Sequence, residues 1–158
     1  MAESAEGCSS PEARQFDFWL GEWDLSWPAE QFGGEEGTLQ TATNVVTKLY
    51  GPCVIEENFS TSDGSFQGRS LSVFDTKEAI WYQTWVDSSG SYIALSGEFD
   101  GEKMVLTTQP NAFDGETRVN RMVFRDIADD SLMWDWQVST DHGQTWSDLW
   151  NITYRRRS

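Results

Sequence analysis

The chain has 158 residues, 38% hydrophobic and 23% charged, which is enough to bury one core and hardly enough for two. Its formal net charge of −15 excludes nucleic acid as an expected partner, because a phosphate backbone would be repelled. No apolar run of about 18 residues occurs, so no membrane-spanning helix is expected. Nine Trp and nine Phe lift the aromatic fraction to 14%. Such side chains suit pleated, half-buried surfaces, and long stretches at helical period are absent after the first twenty residues.

In chain order, residues 1–9 read as a flexible N-terminus ahead of a single domain spanning 10–155. Met1 to Ser10 is small and acidic, without the basic and apolar regions of a secretory leader, which makes the cytoplasm the expected location. Two cysteines are too few for a disulfide framework. Ser9 or Ser10 followed by Pro11 and Glu12 predicts a helix start. Phe16, Trp19 and Leu20 then recur at helical spacing, and Gly21 stops the helix. This short amphipathic segment is expected to plug one end of the domain.

Turn residues such as Asp63-Gly64, Ser89-Gly90, Asp100-Gly101 and Asp114-Gly115 then cut the chain into runs of strand length. These runs are 22–27, 38–49, 53–61, 66–74, 80–87, 92–99, 103–108, 117–126, 132–139 and 145–155. Turns this short join antiparallel neighbours, so the expected topology is an up-and-down meander of about ten strands. Closure into a barrel would remove the two exposed edges, and the length matches small ligand-holding barrels. Arg155 to Arg157 read as a frayed basic tail.

Alternation within strands points to the lumen. Arg69 shares a strand face with Leu71 and Val73, and Arg121 shares one with Val119 and Val123. An arginine between valines is costly in a solid core and ordinary in a wet cavity. Trp81, Gln83 and Trp85 form one face of their strand, and Trp134 and Trp136 share another.

The stretch Phe16-Asp17-Phe18-Trp19-Leu20-Gly21-Glu22-Trp23 resembles the opening of the DUF1579 family, small proteins of largely unassigned function. Later landmarks fit the same resemblance: Gly51-Pro52-Cys53-Val54-Ile55-Glu56-Glu57, Ser72-Val73-Phe74-Asp75, Trp85-Val86-Asp87, Arg121 and Tyr154-Arg155. The resemblance implies a calycin-like barrel, similar in shape to lipocalins and fatty-acid-binding proteins, and carries no catalytic residues. Nitrobindins, a related barrel family, bind haem through a histidine. Here the single histidine, His142, falls in the turn Asp141-His142-Gly143, whereas a haem ligand must point into an apolar pocket. No zinc set can be assembled around it, and no calcium loop has the required spacing, so no cofactor or metal is expected.

Other motifs have structural readings. Ser139-x-Asp141-x-Gly143-x-Thr145-Trp146 fits an Asp-box, read as a hairpin staple. Glu56 and Glu57 point to opposite faces and read as solvated surface, like Glu35-Glu36 and Asp129-Asp130. Cys53 reads as structural; its bonding to Cys8 is conceivable in oxidising conditions, and the expected compartment argues against it.

The leading expectation is a barrel that binds a small hydrophobic or aromatic ligand with an acidic group. Arg69 or Arg121 would anchor that group, with Trp81, Gln83, Trp85, Trp134 and Trp136 as walls and secondary contacts. The alternatives are an isomerase, cyclase or hydrolase using the same cavity, and a solid barrel serving as a protein-interaction scaffold. A homodimer contact through the Val119–Val123 face is the competing use of Arg121's strand. The expected partner is therefore a small molecule, with neither nucleic acid nor membrane.

Overall fold

In the computed structural model, which describes residues 7–158, eleven antiparallel strands follow two short 3-10 turns, Glu12–Arg14 and Asp17–Trp19. The strands are β1 (Gly21–Pro28), β2 (Leu39–Lys48), β3 (Val54–Thr61), β4 (Gln67–Asp75), β5 (Ile80–Asp87) and β6 (Tyr92–Phe99). They continue with β7 (Met104–Thr108), β8 (Asn111–Phe113), β9 (Glu116–Arg125), β10 (Ser131–Ser139) and β11 (Ser147–Arg156). Consecutive strands pair around the ring, β9 pairs with β7, and β11 closes onto β1. The three-residue β8 only forms a hairpin with β9, so the barrel closes through ten strands. No described helix is long and apolar enough to cross a membrane.

The strands form where β-branched and aromatic residues alternate with polar ones. In β5 the inward residues Trp81 and Gln83 are buried, while Tyr82, Thr84 and Val86 are exposed. Each large side chain fully buried this way contributes roughly 1.5–3 kcal/mol against leaving it in water.

The short N-terminal helix takes the form of two 3-10 turns, and it does plug one barrel end. Phe16 is fully buried, stacked on Trp19 at 4.9 Å and meeting Trp81 and Phe124 edge-on at 5.3 and 5.1 Å. Trp23 donates its indole N–H to the Trp19 carbonyl at 2.8 Å, which ties the plug to β1. Arg156 is no frayed end. It extends β11 opposite Trp23, lies 4.2 Å from that ring, and donates to the carbonyls of Leu20 (2.6 Å) and Asp129 (2.9 Å). With a longer bond to the Phe18 carbonyl at 3.3 Å, one fork-shaped cation thus serves three backbone carbonyls. Gly21 permits this contact: a Cβ there would meet the Arg156 guanidinium, and its φ of +126° is one that side chains rarely adopt. Arg157 pairs with Asp24.

Cys8 and Cys53 form a disulfide with Cα atoms 5.1 Å apart, the pairing that the expected compartment argued against. Spacing in sequence gives no hint of it, because closure of the plug is what brings the two together. The bond fastens the segment before the plug to the start of β3. Of the stretch 1–9 expected to be flexible, residues 1–6 lie outside the described residues, and Cys8 is fixed.

Candidate functional site

Inside the half of the barrel away from the plug lies a cavity of about 200 Å³. Each wall arises from strand alternation. Phe59 comes from β3, Trp85 from β5, Trp134 and Trp136 from β10, and Trp150 from β11. Trp85 lies over Gly68 of β4, where a Cβ would stand 2.1 Å from the ring, so only glycine leaves room. Trp134 and Trp136 are almost parallel, and Trp150 meets Trp134 edge-on at 5.6 Å. Trp19 of the plug and Phe124 border the opposite side. Phe66 and Trp150 also line a second, outer pocket of about 560 Å³, here called the vestibule, together with Phe32, Leu39 and Asp63.

One carboxyl is set into this aromatic wall. Glu57 follows Ile55 and precedes Phe59 on the inward face of β3, and only 6% of its surface is exposed. Its Oε2 accepts the Asn44 amide of β2 at 2.6 Å and its Oε1 accepts the Ser70 hydroxyl of β4 at 2.7 Å. Asn44 also donates to the Tyr154 hydroxyl at 3.0 Å. Burial pushes the Glu57 pKa up to about 7, against the pull of the Ser70 and Asn44 hydrogen bonds. Burial, and then the neighbouring Glu57, push the Tyr154 phenol upward, so it stays neutral. At the mouth, Asp87 accepts the Trp85 indole N–H at 2.8 Å. Burial raises its pKa, and bonds from Ser89, Trp85 and Ser91 more than offset that, leaving it below the ordinary value.

Of the residues expected from sequence, Trp85, Trp134 and Trp136 line the cavity together. Trp81 and Gln83 are inward but belong to the packed interior: Trp81 abuts Phe16 and Phe74, and Gln83 donates to Ser72 at 2.9 Å. The arginines require correction, because both leave the lumen. Arg69 is an exposed outer residue bonded to Asn58 at 2.8 Å, and its face-mates Leu71 and Val73 are 42% and 39% exposed. Arg121 alternates with the cavity residues Met122 and Phe124, so it projects outward, 4.1 Å from the Trp146 ring and bonded to Gln137 at 2.7 Å. The reason is that an outer face can also be apolar. Arg121 and Arg125 both bond across to β10 and flank the buried Val123.

The reading of Glu57 as solvated surface is corrected too. The signal is present in the sequence, since Ile55, Glu57 and Phe59 alternate as the arginine strands do. Glu56 is the outer partner, accepting from Asn58 at 2.8 Å. The Asp-box is built as its pattern implies: the Asp141 carboxylate accepts the Thr145 hydroxyl, the Thr145 backbone amide at 2.9 Å and the Ser139 hydroxyl at 2.7 Å, and these bonds, in that order, hold its pKa down to about 2. His142 is exposed at the tip of that turn, away from the cavity.

Fold and site together define a small closed β-barrel whose inner half holds an aromatic cavity around one buried carboxyl. The chain belongs to the DUF1579 family, described as proteins of unknown function, which it matches over residues 10–156. No curated protein matches it significantly. The matched span includes the plug, Glu57 and Tyr154.

Proposed function

We propose that the barrel binds a small hydrophobic or aromatic ligand, held by stacking on the tryptophans and by a polar contact to Glu57. The observation that carries this is a cavity of about 200 Å³ bordered by five tryptophans. Pockets commonly combine apolar walls with a few placed polar groups. Trp150, which lines the cavity, has a buried indole N–H without a partner, which a ligand acceptor would satisfy. With Arg69 and Arg121 outside, the expected anchor for an acidic group is gone. A scaffold function calls for a solid barrel, and the cavity speaks against it.

Native mass spectrometry of freshly purified protein, followed by calorimetry with the neutral probe 2-phenylethanol, tests this. A small-molecule adduct or saturable probe binding, weakened in Trp134→Ala, is the expected result. Bare protein with no probe binding would reject it.

A second reading is favoured by Glu57 itself. A carboxyl with a pKa near 7 inside a ligand-sized cavity is suited to accept or donate a proton in an isomerisation, cyclisation or hydrolysis. Turnover with a pH profile that loses its inflection near 7 in Glu57→Gln would identify it.

The disulfide bears on location, since such bonds persist mainly in oxidising compartments, and it argues against the expected cytoplasm. Alkylating the protein at the moment of extraction decides: free Cys8 and Cys53 support the cytoplasm, and a bonded pair does not.

A further inference from the structure

We infer that the cavity selects ligands carrying a positive charge, a small amine on a flat apolar body, with Glu57 as the counter-ion. This rests on the binding reading above and adds the charge class of the ligand. Three observations converge on it. Among the described residues lining the cavity there is no Lys, Arg or His, while two carboxyls, Glu57 and Asp87, are present. The other lining groups are largely aromatic faces, which carry negative quadrupole potential and attract cations. The chain's net charge of −15 adds a field that draws cations toward the mouth and repels anions.

The geometry also says how an ammonium would be held. Each Glu57 oxygen already accepts one hydrogen bond, from Asn44 or Ser70, and a carboxylate has about four acceptor positions in all. The remaining ones are free to accept from an ammonium, which has three donors. The unpartnered indole N–H of Trp150 leaves a place for one neutral acceptor elsewhere on the ligand. It does not replace a cation for an anionic ligand, which would face two carboxyls and the aromatic faces.

Binding must then be coupled to the Glu57 proton. In the empty cavity the carboxyl is protonated below about pH 7. An ammonium stabilises the carboxylate, so the acid gives up its proton to solvent when the amine enters. The groups facing Glu57 are the Asn44 amide from β2, the Ser70 hydroxyl from β4 and the neutral Tyr154 phenol from β11. Asp87 at the end of β5 is a second carboxyl on the cavity wall and is ionised throughout this range.

The test uses three probes on one carbon frame: phenethylamine, 2-phenylethanol and phenylacetate, titrated calorimetrically into the full chain at pH 8. The expected order of affinity is amine, then alcohol, then acid, with the amine about ten-fold or more tighter than the alcohol, equal to about 1.4 kcal/mol. At pH 6, heats in buffers of different ionisation enthalpy should show a proton released on binding the amine and none on binding the alcohol. In Glu57→Gln the amine's advantage should disappear. Should that variant fail to fold, the wild-type affinity order and proton release still decide. Equal affinities, or a preference for phenylacetate, would overturn the inference and leave the binding reading standing. Absence of binding by all three probes would overturn both.

Discussion

At the plugged end, Phe16, Trp19 and Trp23 are fully buried, an arginine caps backbone carbonyls, and a disulfide fastens the incoming chain. At the open end, Trp85, Trp136 and Trp150 are only half-buried and border empty volume, and Phe32 and Leu39 stand 55% and 65% exposed at the vestibule. The same residue types thus serve stability where they interlock and ligand contact where they do not. A closed barrel makes this division possible. Its ladder of hydrogen bonds holds the open half in shape without a filled core, so unfilled aromatic surface is sustained by the tightly packed half.

The sharpest way to break this comparison is to truncate one aromatic residue at each end. Phe16→Ala should cost about 3–5 kcal/mol in urea unfolding, since it removes a fully buried ring from four aromatic neighbours. Trp150→Ala should cost less, roughly 1–2 kcal/mol, because this ring, though it also has four aromatic neighbours, is only half-buried and borders the cavity. Its larger effect should be on probe affinity. The reverse ranking of stabilities would dismiss the division of labour.

Next in size is the disulfide. The Cys8–Cys53 bond closes a loop with a sequence separation of 45, and chain-entropy arithmetic gives about 4 kcal/mol for such a loop. Reduction, or Cys8→Ser with Cys53→Ser, should lower unfolding free energy by up to that amount and leave probe affinity nearly unchanged, because the bond sits at the plugged end. A large loss of affinity with intact stability would show that the two ends are not separable.

Glu57 places a pH signature in the open half. Its folded pKa is raised from 4.5 to about 7, so the folded state binds its proton more tightly than the unfolded state does. Its contribution is therefore most favourable below about pH 4.5, declines as pH rises to 7, and is level above that. The span is on the order of 3 kcal/mol. The turn aspartates Asp63, Asp75, Asp100 and Asp141 act with opposite sign and in a different window, since their depressed values matter only below about pH 4. Denaturation at pH 5 and pH 8 should show wild type losing stability across this interval and Glu57→Gln losing much less. Parallel behaviour of the two proteins would mean that the carboxyl is solvated.

The strands are legible in the sequence because period-two alternation and turn residues are local. Ile80–Asp87 and Tyr92–Phe99 have the same bounds in sequence pattern and in structure, while β8, at only three residues, leaves no pattern to read. The family is legible in the plug motif, whose residues prove to be the interlocked ones: Phe16 and Trp19 in the barrel end, Gly21 and Trp23 against Arg156. The site is only half legible. Alternation tells which residues share a face and not which face is the lumen, since that depends on closure. The rule that places Arg121 among valines is sound about neighbours and wrong about direction. Applied to Ile55, Glu57 and Phe59, it would find the buried carboxyl. The Cys8–Cys53 contact lies across the plug, so no local pattern encodes it.

The smallest expected effect separates inner from outer face within the open half. Arg69→Leu should change stability by no more than about 0.5 kcal/mol, because its guanidinium is exposed and its ion-pair distance to Glu56 is 3.9 Å. Arg121→Leu should cost about 1 kcal/mol, from the lost contact over Trp146 and the lost hydrogen bond to Gln137. Neither should shift the affinity for phenethylamine or 2-phenylethanol, since both side chains lie on the far side of the barrel wall from the ligand. Trp136→Ala is the matched control, because Trp136 is next to Gln137, the partner of Arg121, but faces the cavity. It should weaken probe binding while the two arginine variants do not. Loss of affinity in Arg121→Leu at unchanged stability would instead mean that its guanidinium reaches the lumen, and the neutral-to-basic ligand preference assigned to the cavity would fall with it.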